Sequence, residues 1–396
     1  MKRVNFTMLN IRIYNSPHSI SHDIKHKMLL TTPEDFSYLL LYKKQEPGLQ
    51  EQTPANSRHR HRVQNLKERS EMASEASTKI PLKTLSSGLN MPVIAFGTFE
   101  FSFDQENAKA AIIEAIKIGY RHFDTACQYG SEAALGEAIA EAEQLGLIGS
   151  RADVFVTTKL WCTDNHPDRV LPAIKTSLRN LKMDYLDLYL IHWPISMKPG
   201  PISFPLKREE VMPLDLKGVW EAMEECQKLG LTKSIGVSNF TTKKLEELLQ
   251  FANIPPAVNQ VELNPAWQQQ KLREYCAKKG ITVTAYSPLG GQLNFITPNT
   301  VLTSEVLKEI ADAKGKSVAQ ISLRWILEQG EGIVVKSFKK ERLVQNLEIF
   351  DWELAEEEHA KISSIPQKKA LSTEPILAPE GSLTSVDFAD IDIVET

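Results

Sequence analysis

The chain has 396 residues, 42% of them hydrophobic and 24% charged, with a formal net charge of −4; this is globular composition, with enough apolar residues for a barrel-sized core. No apolar run approaches the roughly 18–20 residues of a membrane-spanning helix, which excludes a helical membrane protein. Residues 1–78 carry a net +4 and leave −8 for the rest, so the globular part is mildly acidic, which argues against a nucleic-acid binder with its basic face.

Residues 1–78 hold five of the nine histidines, the basic stretch Arg58-His59-Arg60-His61-Arg62, and no sustained period of 2 or 3.6. They read as a disordered leader or a non-native N-terminal extension. Eight acidic residues there count against a transit peptide. Met72, followed by Ala-Ser-Glu-Ala-Ser, reads as an alternative start, and both options stay open.

From residue 79 short β-rich runs alternate with helical ones. A hairpin is expected first, Ile80–Leu85 with Met91–Ile94, turning at Ser87-Gly88-Leu89-Asn90, where Gly and Asn tolerate positive φ. Eight strand candidates follow: Val93–Thr98, His122–Ala126, Val154–Leu160, Leu186–Trp193, Ser234–Ser238, Val258–Leu263, Thr282–Ser287 and Ile333–Phe338. Between them lie stretches with apolar residues at i, i+3 and i+4, such as Ala108–Ile118, Glu132–Gln144 and Leu216–Leu229. Eight β-then-α units predict an α/β fold, a (β/α)8 TIM barrel over 79–396 with the hairpin closing its bottom and a C-terminal tail. A doubly wound sheet would place G-x-G-x-x-G after the first strand. The chain has Phe96-Gly97-Thr98-Phe99-Glu100 instead.

The four cysteines, Cys127, Cys162, Cys226 and Cys276, form no CxxC pair and no zinc-ligand grouping. They read as small buried hydrophobes in a reducing, cytoplasmic compartment, and no metal site is expected.

Catalytic groups of such barrels sit at the C-terminal ends of strands. Asp124, Tyr129, Lys159 and His192 all meet that test. Singly, Asp124 reads as a turn cap, His192 as a core histidine and Tyr129 as a loop anchor. Lys159, in an apolar strand, must find a partner or lose its charge. Together they suit carbonyl reduction, in which hydride reaches the carbonyl carbon and a proton reaches the developing alkoxide. A free tyrosine, with a pKa of about 10, is a reluctant acid–base catalyst near neutrality. A neighbouring ammonium lowers that value, so Tyr129 is expected to donate the proton, with Lys159 tuning it and Asp124 anchoring the lysine. A neutral His192 would orient and polarise the carbonyl, or be the acid itself.

These segments resemble the aldo-keto reductase superfamily, from about Ile80 to Pro366. Gly119-Tyr120-Arg121-His122-Phe123-Asp124-Thr125-Ala126 with Tyr129-Gly130 resembles its first signature. Leu188-Tyr189-Leu190-Ile191-His192-Trp193-Pro194 resembles its histidine strand, and Lys336-Ser337 with Arg342 and Asn346 its phosphate-binding end. Within the superfamily the chain looks most like the plant group of galacturonate reductases, chalcone (polyketide) reductases and codeinone and methylecgonone reductases. Val219–Cys226 and Ile254–Gln260 carry that closer likeness.

The resemblance implies that Asp124, Tyr129, Lys159 and His192 form a catalytic tetrad. It implies that Ser238, Asn239 and Gln260 bind the nicotinamide carboxamide, that Tyr286 stacks on its ring, and that Leu289 touches the diphosphate. Thr98, Ser287 and Phe338 complete the implied cofactor contacts. Lys336, Ser337, Arg342, Gln345 and Asn346 follow strand 8 and open a short helix, a phosphate site in which Lys and Arg favour NADPH over NADH. Gln345 and Lys339 depart from the family's usual Glu and Thr or Asn.

Phe99, Trp161 and Trp193 each read singly as packing residues, and by their place in the family's pattern the resemblance implies that they wall the pocket. Ile195–Pro213 and the tail after Pro366 are expected to close over a small-molecule substrate, a plant specialised-metabolite ketone or a sugar-derived carbonyl. The tail Ser372–Thr396 is nearer the sugar-acid reductase, whereas Glu100 at the mouth disfavours an anionic substrate. A monomer without nucleic-acid or membrane partners is expected. Two other accounts remain, a Lys159 Schiff-base aldolase and a non-catalytic NADPH-binding barrel.

Overall fold

The computed structural model of the protein describes residues 80–100, 103–201, 208–291 and 299–370. The expected leader 1–78 and the tail segment Ser372–Thr396 lie outside the described residues.

A hairpin comes first, β1 (Leu82–Thr84) antiparallel to β2 (Asn90–Pro92). Gly88, at φ 82°, supplies the left-handed residue of its turn. Then β3 (Ile94–Gly97), α1 (Gln105–Ile118), β4 (His122–Asp124), α2 (Glu132–Gln144), β5 (Phe155–Leu160), α3 (Val170–Leu181) and β6 (Leu186–Ile191) alternate. A ribbon of β7 (Ser196–Met197) and β8 (Val211–Met212) decorates the loop after β6. The alternation resumes with α4 (Leu216–Lys228), β9 (Thr232–Ser238), α5 (Thr242–Leu249), β10 (Val258–Glu262), α6 (Gln270–Lys278) and β11 (Thr282–Tyr286). Two helices, α7 (Glu305–Lys314) and α8 (Val318–Glu328), precede β12 (Gly332–Val335), and α9 (Lys340–Leu347) and α10 (Glu356–Ser363) follow it.

Strands β3, β4, β5, β6, β9, β10, β11 and β12 pair in parallel, and β12 closes onto β3. The expected eight-stranded barrel is present. The last expected strand ran too far: β12 ends at Val335, and Phe338 is a loop residue whose ring stacks on Phe96 at 6.0 Å. Its apolar character reflects that packing.

Alternation along each strand sorts side chains between two cores. On β5, Val156 and Leu160 join the large apolar layer under the helices, while Phe155, Thr157 and Lys159 face the axis. Helix starts are capped by side chains that satisfy free N–H groups: Asp215 accepts from Gly218 at 2.9 Å, and Ser317 and Gln320 form a reciprocal box. Gly136 on α2 has no substitute, because a Cβ there would lie 2.1 Å from the Leu181 carbonyl oxygen of α3.

At the N-terminal end of the barrel the hairpin acts as a plug. Leu85 and Met91 pack with Phe155, Leu188, Leu190, Ala257 and Val258, each large side chain contributing roughly 1.5–3 kcal/mol of burial. Above the plug lies His122. Its Nδ1–H donates to the Pro92 carbonyl and its Nε2 accepts from the Thr157 hydroxyl, both at 3.0 Å. The opposite end is left for the site.

Candidate active site

The parallel register brings the four singled-out residues to one mouth. Asp124 is the last residue of β4, Tyr129 closes a short 3-10 turn just after it, Lys159 is the penultimate residue of β5, and His192 directly follows β6. Lys159 is fully buried. Its Nζ donates to Asp124 Oδ1 at 2.6 Å and to the Thr125 carbonyl at 2.8 Å, and lies 5.0 Å from the centre of the Tyr129 ring. His192 Nε2 is 3.4 Å from the Tyr129 hydroxyl, and its buried Nδ1 has no partner.

Burial disfavours the Lys159 ammonium, but Asp124 and Tyr129 outweigh it and hold the pKa above 10.5. Burial pushes the Tyr129 phenol above its ordinary 10.0, against the opposing pull of Lys159. The expected net lowering is therefore corrected. Lys159 acts in the anticipated direction, but loss of solvent around the phenol is the larger effect. Burial, then the Lys159 charge, hold His192 well below 6.5, so its ring is neutral.

Of the expected cofactor contacts, Ser238 ends β9, Asn239 follows it, and Tyr286 ends β11. Asn239, at φ 63°, is a non-glycine residue in left-handed backbone, as is Ser287 at 49°; such conformations cluster at functional sites. The Asn239 amide donates to the His192 carbonyl at 3.0 Å and accepts from the Tyr286 hydroxyl at 2.8 Å. Gln260 is not at a strand end as expected. It sits mid-strand in β10 and donates across the barrel to Asp124 Oδ2 at 2.8 Å. The inward face of the strand aims it there.

Around β12 the expected set divides. Lys336 and Ser337 precede α9, Arg342 lies in its first turn, and Gln345 and Asn346 in its last, so the latter two do not open the helix. Asn346 is buried and hydrogen-bonded to the Tyr120 side chain, while Arg342 and Gln345 are exposed. Leu289 packs against the main core, and its carbonyl accepts from Asn299 at 2.7 Å.

Aromatic residues wall the mouth. The Phe99 ring meets Tyr129 edge-on at 5.1 Å, Trp161 meets His192 at 5.1 Å, and Trp193 stacks on His192 at 6.3 Å. Trp161 Nε1 is buried without a partner. Asn165 donates to the Trp193 and Ile195 carbonyls at 3.2 and 2.8 Å and pins that loop. Residues 202–207, within the expected covering loop Ile195–Pro213, lie outside the described residues. The start of the tail is tied down by Lys368 N–H to the Ala266 carbonyl at 2.7 Å and Ala370 N–H to Glu262 at 2.6 Å.

A family model for the aldo/keto reductase family matches residues 93–367, most of the chain. The chain belongs to the aldo/keto reductase family. It is an oxidoreductase acting on carbonyl groups. It is 57% identical to the D-galacturonate reductase of Fragaria ananassa over 78% of this chain and 98% of that one. It is 54% identical to NADPH-dependent codeinone reductase 1-3 of Papaver somniferum over 79% and 98%. It is also 56% identical to the bifunctional protein STORR of Papaver somniferum over 78% of this chain, and there it spans 34% of the relative. Among solved structures it resembles the aldo-keto reductase of Bombyx mori in complex with NADP, at 37% identity and a TM-score of 0.67, covering 75% of this chain and 95% of that one.

The family motifs pointed to single residues and passed over the hydroxyl network that holds them. Ser131 Oγ lies 2.7 Å from Thr98 Oγ1 and 2.8 Å from Thr125 Oγ1, and Thr98 Oγ1 also donates to the Asp124 carbonyl at 3.1 Å. Thr98, expected against the cofactor, is fully buried in this cluster. Part of the signal was present in Thr125 and Ser131 close after Asp124, but their meeting with Thr98, which follows β3, depends on the closure of the barrel. All four cysteines are free; Cys127 is only partly buried, and its thiol donates to the Lys159 carbonyl at 3.3 Å. Among the described residues no helix is long and apolar enough to cross a membrane.

Proposed function

We propose that the protein reduces an aldehyde or ketone to an alcohol with NADPH, and that Tyr129 delivers the proton. The observation that carries this reading is the buried Lys159 ammonium, held by Asp124 at 2.6 Å with the Tyr129 ring 5.0 Å away. The residues suit a nicotinamide dinucleotide phosphate. Ser238, Asn239 and Gln260 gather amide and hydroxyl groups beside Tyr286 at the mouth, and Lys336, Lys339, Lys340 and Arg342 cluster around the start of α9, where an ammonium-rich helix start attracts phosphate. The bound coenzyme supplies the hydride.

The chain's own groups handle the proton. Tyr129, its pKa raised, rests protonated and ready to donate. As negative charge develops on the carbonyl oxygen, the phenol proton moves to it, and Lys159 stabilises the phenolate left behind. Asp124 keeps the lysine charged and fixed. The neutral His192 ring orients the carbonyl through a hydrogen bond from its N–H. A lysine held protonated has no lone pair for Schiff-base chemistry, so the aldolase account finds no support.

The aromatic wall of Phe99, Trp161 and Trp193 supports a substrate with an apolar ring or a stacked sugar face, and relatives named for a sugar acid and for an alkaloid ketone support both classes. Glu100 does not favour either, because its carboxylate is paired with Lys336. Four cysteines without a disulfide support a reducing, cytoplasmic setting.

NADPH oxidation at 340 nm with hexuronates, aromatic aldehydes and cyclic alkaloid ketones tests the proposal. Tyr129→Phe is expected to lose roughly 10²–10⁴-fold in turnover, the usual contribution of a positioned acid, while still quenching tryptophan fluorescence on binding NADPH. A variant as active as the wild type removes Tyr129 as the donor.

A further inference from the structure

The mouth contains an ion pair that the reduction chemistry does not use. Lys336, in the loop after β12, donates to the carboxylate of Glu100, in the loop after β3. The two loops belong to strands that close the barrel side by side. Both side chains are about a third exposed. The ammonium also lies 4.7 Å from the centre of the Phe338 ring, and Phe338 is itself stacked on Phe96 of β3. Lys336 thus rests on an aromatic base with a carboxylate on its charged end.

We propose that Glu100 is an internal competitor for the coenzyme's 2′-phosphate and so sets how strongly the protein discriminates NADPH from NADH. This rests on the reading of Lys336 as a phosphate-binding residue. A carboxylate and a phosphate monoester present the same chemistry to an ammonium, negatively charged oxygens accepting a charge-assisted hydrogen bond. One lysine cannot give its full charge to both. A coenzyme with a 2′-phosphate must displace Glu100 or share Lys336 with it, and either costs binding energy and leaves a second anion nearby. A coenzyme without that phosphate leaves the pair intact. Glu100 therefore weakens NADPH selectively and narrows the gap between the two coenzymes. Exposed ion pairs are weak, so the effect is modest and falls with salt.

The test is equilibrium titration by tryptophan fluorescence of the full-length chain with NADPH and with NADH, for wild type, Glu100→Gln, Lys336→Met and the double variant. Glu100→Gln should bind NADPH about two- to fivefold tighter, the range an exposed ion pair supports, with NADH unchanged. The gain should vanish in the Lys336→Met background. If Glu100→Gln leaves NADPH affinity unchanged while Lys336→Met weakens it selectively, Lys336 binds the phosphate and the competitor role is wrong. Equal tightening of both coenzymes, or the same gain without Lys336, marks a diffuse charge effect and also overturns it. If Lys336→Met leaves the NADPH-to-NADH ratio untouched, the underlying phosphate reading fails.

Discussion

Strands β4 and β6 each carry a titratable side chain at either end, and the two ends of the barrel treat them differently. At the hairpin end, His122 opens β4 with both ring nitrogens bonded at 3.0 Å. Asp187, near the start of β6, accepts from the Val156 N–H at 2.9 Å, from Arg151 at 2.8 Å and from Lys233 at 3.0 Å. At the mouth, Asp124 closes β4 and His192 follows β6. Asp124 is shared between Lys159 and Gln260. His192 has one long contact and one buried nitrogen with no partner, and Trp161 beside it leaves its N–H unpaired. Buried polar groups are almost always satisfied, so the nitrogens of His192 and Trp161 leave the mouth with hydrogen-bonding capacity of its own, although Thr284 Oγ1 on β11 is unpaired as well. On the proposed reading the closed end spends its polar groups on stability and the open end on chemistry.

Breaking the pair at each end should separate those roles. Lys159→Met strands the Asp124 carboxylate without its cation and should cost about 3–5 kcal/mol in denaturant unfolding, together with most of the turnover; an unfolding midpoint equal to wild type would show that the pair does not hold the mouth. Asp187→Asn removes charge-assisted bonds at the other end and should cost about 1–3 kcal/mol while leaving kcat/KM per folded molecule unchanged. A loss of rate there would mean that the two ends are coupled.

Acid should act at both ends. Burial holds the folded-state pKa of His122 and of His192 below 6.5, so the unfolded chain takes up those protons first. Stability is then full above pH 6.5 and declines as pH falls below it, by at most about 1.4 kcal/mol per pH unit for each histidine and only down to that histidine's folded-state pKa. Unfolding curves for His192→Gln should show about half the slope attributable to the two residues. An unchanged slope would assign the effect to the hairpin end alone.

The barrel and the site residues were legible to different depths. Alternation of β-rich and 3.6-periodic runs was enough to place all eight barrel strands, because parallel strands buried on both faces read as short continuous apolar runs between helical periods. The ends of strands were less legible: Phe338 is as apolar as a strand residue because it stacks on Phe96. Gln260 was expected at a strand end and sits mid-strand, where it reaches Asp124. Neither contact has a local pattern, since each joins residues far apart in the chain.

By itself the sequence determined the repeat of strands and helices, the chemical types gathered at the strand ends, and the lysine that an apolar strand could not leave unpaired. Those follow from periodicity and from the cost of an isolated buried charge, which are local properties. Tertiary structure decided the balance of forces on them. Whether Lys159 or burial controls the Tyr129 phenol, which nitrogen of His192 stays unpaired, and whether Glu100 repels a ligand or neutralises Lys336 all depend on distances and solvent exclusion. Those are set only when the barrel closes.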